Sequence, residues 1–168
     1  AMLDKMITLV KEFPNVQFVI AGVDSLPNEV YQPARKAGIK LVFNQTYDLL
    51  SHATAAVVTS GTATLETALF RVPQIVVYRT SSASYQIAKR LIRVPFISLP
   101  NLIAGREVVK ELIQDDFSIE NLRNELQKIF SNVVYKGEML QGYDIIREKI
   151  GEGSASETAA KLILNFKK

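Results

Sequence analysis

The sequence predicts an α/β fold in which a Rossmann-like parallel sheet forms the middle of three layers and further helices follow it. Three observations carry that expectation. Short, mainly apolar runs such as Ala55–Thr59 and Gln74–Tyr78 have the character of strands buried on both faces. Stretches of helical periodicity alternate with these runs. Parallel strands need crossover connections, which are right-handed and usually helical, so this alternation favours a parallel sheet covered on both sides. The 168 residues, 48% hydrophobic and 22% charged, match a single soluble domain of ordinary size.

The elements follow in order. Leu3, Met6, Ile7, Val10 and Phe13 recur at helical spacing until Phe13-Pro14-Asn15 stops the helix, and the apolar run Val16 to Ala21 then ends at Gly22. A polar helix from Asn28 to Ala37 is stopped by Gly38, and the strand Ile39 to Phe43 follows. A helix over Tyr47 to Ala53 leads to the strand Ala55 to Thr59, after which Ser60-Gly61-Thr62 opens a helix through Leu69. Pro73 precedes the strand Gln74 to Tyr78, a long helix is expected from Ser82 to Ile92, and a strand from Phe96 to Leu99. From Arg106 onward the pattern is helical alone: Arg106 to Gln114, Ile119 to Ser131, Gly137 to Lys149, and a last amphipathic helix ending near Phe166. A doubly wound domain opens with a strand and a glycine-rich turn, whereas this chain opens inside a helix, so it reads as part of a longer protein. Ala1, ahead of Met2, is set aside as an added residue.

Composition excludes several chemistries. With no cysteine there is no disulfide scaffold, zinc ribbon, iron–sulfur site or thiol nucleophile, and a single histidine leaves carboxylates as the main metal ligands. No stretch approaches the roughly 20 apolar residues of a bilayer span. A net charge of +3 is too small and too dispersed to indicate nucleic acid, but it suits a phosphate or an anionic surface.

The strongest local feature is Ser60-Gly61-Thr62-Ala63-Thr64-Leu65-Glu66, at the carboxyl end of a buried strand and the start of a helix, which is where open α/β sheets bind ligands. Small residues let a ligand approach the backbone, and the first-turn amides and helix dipole favour an anion such as a diphosphate. Glu66, one turn on, is placed to accept hydrogen bonds from a sugar diol. The plainer reading makes Thr62 an N-cap and Glu66 a first-turn dipole partner. The motif is not a Walker loop, because the Gly-Lys-Ser/Thr signature is absent. A second candidate is the loop Leu99 to Arg106, expected to follow a strand at the same end of the sheet, in which Asn101 and Arg106 would recognise phosphate or amide groups; alternatively it is a rigid Pro-Asn turn. Tyr85, Lys89, Arg90 and Arg93 form a mixed aromatic and basic helix that would touch lipid head groups, or simply face solvent. His52 reads as structural or exposed, and Glu107 with Glu111 as a solvated helical pair.

Taken together, Ser60-Gly61-Thr62-Ala63-Thr64-Leu65-Glu66, Val77-Tyr78-Arg79, Ala88-Lys89-Arg90-Leu91, Ile97-Ser98-Leu99-Pro100-Asn101-Leu102-Ile103-Ala104-Gly105-Arg106 and Lys110-Glu111-Leu112-Ile113-Gln114 resemble, in order, the C-terminal half of the lipid-A-disaccharide synthase family. The resemblance implies a GT-B glycosyltransferase fold, here its C-terminal nucleotide-binding domain over residues 1–168. It further implies an enzyme that joins UDP-2,3-diacylglucosamine to 2,3-diacylglucosamine 1-phosphate and releases UDP, with no metal or other cofactor. Carried over by position, Gly61, Thr62, Ala63 and Thr64 would face the donor diphosphate and Glu66 would hold the ribose hydroxyls. Phe43 and Asn44 would edge the nucleobase. Asn101 and Arg106 would be catalytic residues stabilising the diphosphate, with Tyr78, Arg79 and Gln114 also near the substrate. The family's Gly-Ser-Arg loop, catalytic acidic residue and acceptor site would lie outside this chain, which alone would bind weakly and catalyse nothing. A cytoplasmic location, peripheral at the inner membrane of a Gram-negative bacterium, is implied as well, with acylated substrates as partners and no nucleic acid. Two other readings share the fold: another UDP-sugar enzyme, such as a GT-B-fold UDP-GlcNAc epimerase, and a noncatalytic nucleotide-binding module.

Overall fold

The computed structural model describes residues 2–81, 85, 94–151, 160, 163 and 164. The chain opens with helix α1 (Met2–Glu12) and strand β1 (Val19–Gly22). The expected polar helix is split: Asn28–Tyr31 is a 3-10 turn and α2 (Gln32–Lys36) begins afresh, with Pro33 in its first turn where a missing N–H costs nothing. Strand β2 (Lys40–Phe43), α3 (Thr46–His52), β3 (Ala56–Thr59), α4 (Thr62–Leu69) and β4 (Gln74–Tyr78) follow close to expectation. After them come α5 (Leu99–Ala104), β5 (Lys110–Ile113), α6 (Ile119–Ser131) and α7 (Val133–Ile150).

The fold is α/β and, among the described residues, every strand pairing is parallel, with the strands in two ladders rather than one sheet. β1 pairs with β2, Val19 opposite Lys40. β4 lies between β3 and β5, with Ala56 opposite Gln74 and Ile75 opposite Lys110. Central β4 supplies Ile75, Val76 and Val77 to a core completed by Leu9 of α1, Ala68 of α4, Phe117, Leu122, Leu126 and Ile129 of the α6 region, and Met139, Tyr143 and Ile146 of α7. Helices α6 and α7 are each capped at their start by a side chain. Ser118 accepts from the Asn121 N–H at 3.1 Å, and Asn132 from the Tyr135 N–H at 3.0 Å, which starts α7 four residues before Gly137.

Two expectations between residues 96 and 114 are corrected. The strand expected at Phe96–Leu99 is a loop entering α5, because Pro100 fits the first turn of a helix and Gly105, at φ 74°, closes that helix in the left-handed conformation. The helix expected over Arg106–Gln114 is a loop followed by β5: Val108, Val109 and Leu112 are buried as the amphipathic pattern requires, but the chain is extended alongside β4. A short apolar run fits either period, and the open edge of β4 decides between them. The helix expected over Ser82–Ile92 and most of the last helix lie outside the described residues.

Candidate functional site

β3 ends at Thr59, and the chain turns through Ser60 and Gly61 into α4. Gly61 is almost fully extended (φ 159°, ψ −166°) and, among the described residues, nothing lies within 4 Å of where its Cβ would stand, so the turn presents bare backbone. Gly61, not Thr62, occupies the N-cap position, and among the described residues no capping side chain bonds the first-turn amides. Glu66 lies beyond the first turn and is half-buried. The plainer roles for Thr62 and Glu66 are therefore not the ones they occupy. Gly61, Thr62 and Ala63 are exposed. Thr64 points inward, its hydroxyl donating to the Gly61 carbonyl at 2.7 Å. The end of α4 is thus open to an anion and held from beneath.

What holds it includes residues that sequence reasoning passed over. Buried Gln74 of β4 donates Nε2 to the Thr64 carbonyl at 2.9 Å, tying α4 to the sheet. The Ser60 hydroxyl donates to the Ile97 carbonyl at 2.9 Å. The Glu111 carboxylate accepts from the Ile97 N–H at 2.9 Å, the Ser98 N–H at 3.0 Å, the Ser98 hydroxyl at 2.7 Å and Asn101 Nδ2 at 2.8 Å. A charged residue inside the apolar run Val108–Ile113 is the signal that would have revealed it, because such a group needs partners. Glu107 and Glu111 are not a helical pair: Glu107 meets Lys110 at 3.4 Å on the surface, while Glu111 is on β5.

Asn101 is fully buried on α5, and its amide is completely engaged. Oδ1 accepts from the Val108 and Val109 N–H groups at 2.7 and 2.9 Å, and Nδ2 donates to the Val109 carbonyl at 2.9 Å as well as to Glu111. It positions backbone and has no donor left for a substrate. Arg106 is exposed before the start of β5, beside Tyr135, Glu138 and Gln141 of α7. In a parallel ladder that is the amino end of the strands, opposite the turn at Gly61, so Arg106 does not converge on it, while buried Asn101 is linked to it only indirectly, through Glu111, the Ile97–Ser98 segment and Ser60. The premise that residues 99–106 follow a strand at the ligand end fails because β5 lies after them.

The remaining candidates lie at carboxyl ends. Half-buried Phe43 ends β2, stacks edge-on against Tyr31 with centroids 5.4 Å apart, and lies so close over Gly22 that a Cβ there would be 2.5 Å from its ring. Asn44, at φ 56°, donates to the Asp24 carboxylate, so the ends of β1 and β2 are clasped together. Tyr78 and Arg79 are exposed at the end of β4. Gln114 is turned to Thr80, accepting from its N–H and donating to its carbonyl, each at 3.2 Å, and so shapes the loop after Tyr78. His52 is exposed, with Nδ1 2.8 Å from the Asp48 carbonyl of its own helix. Among the described residues no group of three or more histidines and carboxylates is gathered as metal ligands.

The model of the family described as lipid-A-disaccharide synthetase matches residues 1–163. The lipid-A-disaccharide synthase of Geobacter sulfurreducens is 34% identical over 159 residues, covering 93% of this chain and 41% of that protein. The one from Syntrophus aciditrophicus is 37% identical over 155 residues, 90% of this chain and 40% of the relative. The one from Acidobacterium capsulatum is 44% identical over 110 residues, 66% of this chain and 28% of the relative. The chain therefore spans about two fifths of the length of the first two relatives. A match this extended, over a parallel α/β fold whose β3–α4 turn is bare and uncapped, places the chain in the lipid-A-disaccharide synthetase family.

Proposed function

We propose that this chain is the donor-binding part of a hexosyltransferase that makes lipid A disaccharide from UDP-2,3-diacylglucosamine and 2,3-diacylglucosamine 1-phosphate. The observation that carries the reading is the uncapped α4 terminus behind extended Gly61, in a member of a family whose relatives are named for that product. In the reaction an acceptor hydroxyl oxygen bonds to the anomeric carbon as the bond to the UDP oxygen breaks. The hydroxyl proton passes to a base outside this chain, and negative charge grows on the departing diphosphate. The amides at Thr62 and Ala63 and the α4 dipole favour that charge, Glu66 accepts from the ribose hydroxyls, and Phe43 and Asn44 border the base. Tyr78 and Arg79 face the sugar end, with Gln114 setting their loop. Glu111 and Asn101 act beneath, holding the segment that Ser60 grips. No metal or other cofactor takes part in this reading. The acceptor site is assigned to the remainder of the protein, so the chain alone binds UDP without transferring sugar. No described helix is long and apolar enough to cross a membrane; the acyl chains of both substrates suit an enzyme working against a membrane surface from the cytoplasm.

Titrating the chain with UDP while following amide shifts tests this: Gly61 to Glu66 should move first, and shifts confined to the amino ends of the strands would refute it. Glu66→Gln keeps the shape but loses the charge that grips two hydroxyls. Hydrogen bonds to a charged group contribute about 1.5–3 kcal/mol, so UDP affinity should fall roughly ten- to more than a hundredfold with the melting temperature unchanged. Unchanged affinity would return Glu66 to a structural role.

A further inference from the structure

A chain of hydrogen bonds running through one peptide unit couples the turn at Gly61 to β5. The Ser60 hydroxyl donates to the Ile97 carbonyl at 2.9 Å, and the N–H at the other end of that same peptide, that of Ser98, donates to Glu111 at 3.0 Å. The Ile97 N–H, the Ser98 hydroxyl and Asn101 Nδ2 complete the partners of the carboxylate, and among the described residues no cation pairs with it. Its charge is therefore met by dipoles alone, and the Ile97–Ser98 peptide is one of them. A negative charge at the N–H end of a peptide unit increases the partial charge on its carbonyl oxygen, so the Ile97 oxygen is a stronger acceptor than an isolated carbonyl. The direction of the Ser60 bond follows. A carbonyl oxygen only accepts, so the single hydroxyl proton of Ser60 is spent on Ile97, and Oγ keeps only lone pairs for anything else. Among the described residues nothing donates to them. Ser60 is half-buried, and its own N–H bonds to the Val77 carbonyl at 3.0 Å, which sets it on the β4 side of Gly61, next to Tyr78.

We propose that Ser60 determines specificity at the sugar end of the site, held by Glu111 as a hydrogen-bond acceptor that takes an O–H or N–H of the donor's acylated sugar and disfavours a phosphate oxygen. The inference rests on reading the α4 turn as the diphosphate site, and it divides that turn by chemistry. A diphosphate at neutral pH presents only acceptors. It meets the amides of Thr62 and Ala63 and is turned away from Ser60 Oγ, where two sets of lone pairs would face each other. A glucosamine ring carries what the diphosphate lacks: hydroxyl protons and, on its acylated nitrogen, an amide proton. Glu111 is a positioning residue in this arrangement. It acts on the substrate through a peptide and a hydroxyl, and its charge sets which way the Ser60 proton points.

Calorimetric titration of the chain with UDP, UDP-N-acetylglucosamine and UDP-glucose tests it. Ser60→Ala should weaken UDP-N-acetylglucosamine roughly three- to tenfold, the loss of one neutral hydrogen bond, and leave UDP within about twofold. The same loss with UDP-glucose would assign the proton to a sugar hydroxyl, and a loss confined to UDP-N-acetylglucosamine would assign it to the amide; either result supports the acceptor role. Glu111→Gln keeps the shape but removes the charge and frees the Ser60 hydroxyl to turn, so the ratio of UDP-N-acetylglucosamine to UDP affinity should fall by a similar factor. A Ser60 that only shapes the turn would not separate the ligands. Equal weakening of UDP and both sugar nucleotides by Ser60→Ala would therefore overturn the proposal, as would no change with any of them. An unaltered affinity ratio in folded Glu111→Gln would overturn it too, and if that variant does not fold, Ser60→Ala decides alone. Failure of the unaltered chain to bind UDP would overturn the diphosphate reading itself and this proposal with it.

Discussion

Both ends of the Asn101 amide are engaged inside the molecule, and that fixes what its loss does. Asn101→Ala would leave the Val108 and Val109 amides unpaired in the core, and buried donors without partners cost about 1–3 kcal/mol each. A fall of roughly 2–4 kcal/mol in unfolding free energy by urea titration is expected, well above the change for an exposed loop side chain. Any loss of activity in the complete enzyme would then follow from displacement of the Ser98–Glu111 support rather than from loss of a substrate contact. Tyr143 makes a different prediction. Burial pushes its phenol well above the ordinary value, since phenolate is disfavoured away from water, and its hydroxyl donates to the Val72 carbonyl at 3.1 Å. A folded-state value raised above the unfolded one means that this contribution is complete below about pH 10 and is lost as pH rises further. Tyr135 adds to the trend, raised by burial and then by its bond to the Glu125 carboxylate. Thermal melts should therefore drop steeply on the alkaline side. Tyr143→Phe should flatten part of that drop while costing about 1 kcal/mol at neutral pH for the lost hydrogen bond.

Within one element, α7, two glycines have opposite prospects. Gly142 lies against Val108, and a Cβ there would stand 2.3 Å from Val108 Cγ1, so the helix can approach the β5 entry only because that position has no side chain. Gly142→Ala should destabilise by about 1–3 kcal/mol through overpacking. At Gly137 no described residue lies within 4 Å of the added atom and the backbone is helical, so Gly137→Ala should stabilise by about 0.5–1 kcal/mol from helix propensity alone. Paired denaturant melts check both, and a stabilised Gly142→Ala would show that α7 does not rest on Val108. The same element shows how far local signals reach. Gly137 interrupts the helical pattern, yet the Asn132 cap starts α7 at Val133, because a capping side chain fixes a terminus more firmly than one glycine breaks a turn.

At the scale of the whole molecule, Leu9 of α1 is fully buried against the cluster that holds Ile75, Ile129 and Ile146, so the opening helix is part of the common core. Leu9→Ala should destabilise the chain by about 2–4 kcal/mol, in one cooperative transition rather than by local fraying of α1. Circular dichroism and core tryptophan-free probes such as methyl NMR signals should then melt together. Sequence alone determined the α/β alternation through Tyr78, because Val57-Val58 and Ile75-Val76-Val77 are short β-branched runs set between helical stretches and bounded by Ser60-Gly61 and Pro73, and Gly61 marks the strand-to-helix turn by its own chemistry. It also determined the family resemblance, carried by ordered motifs that survive errors in secondary structure. Between Phe96 and Gln114 it did not suffice: Val108, Val109 and Leu112 satisfy a helix or a strand equally, and only the unpaired edge of β4 drew that segment into β5. Tertiary structure likewise decided that Asn101 is buried and that Arg106 stands at the amino end of the ladder, for both depend on which side of the sheet a loop passes. A side chain's type is local information, whereas its partners are set by segments distant in sequence, as Glu111 is by Ile97 and, through it, Ser60.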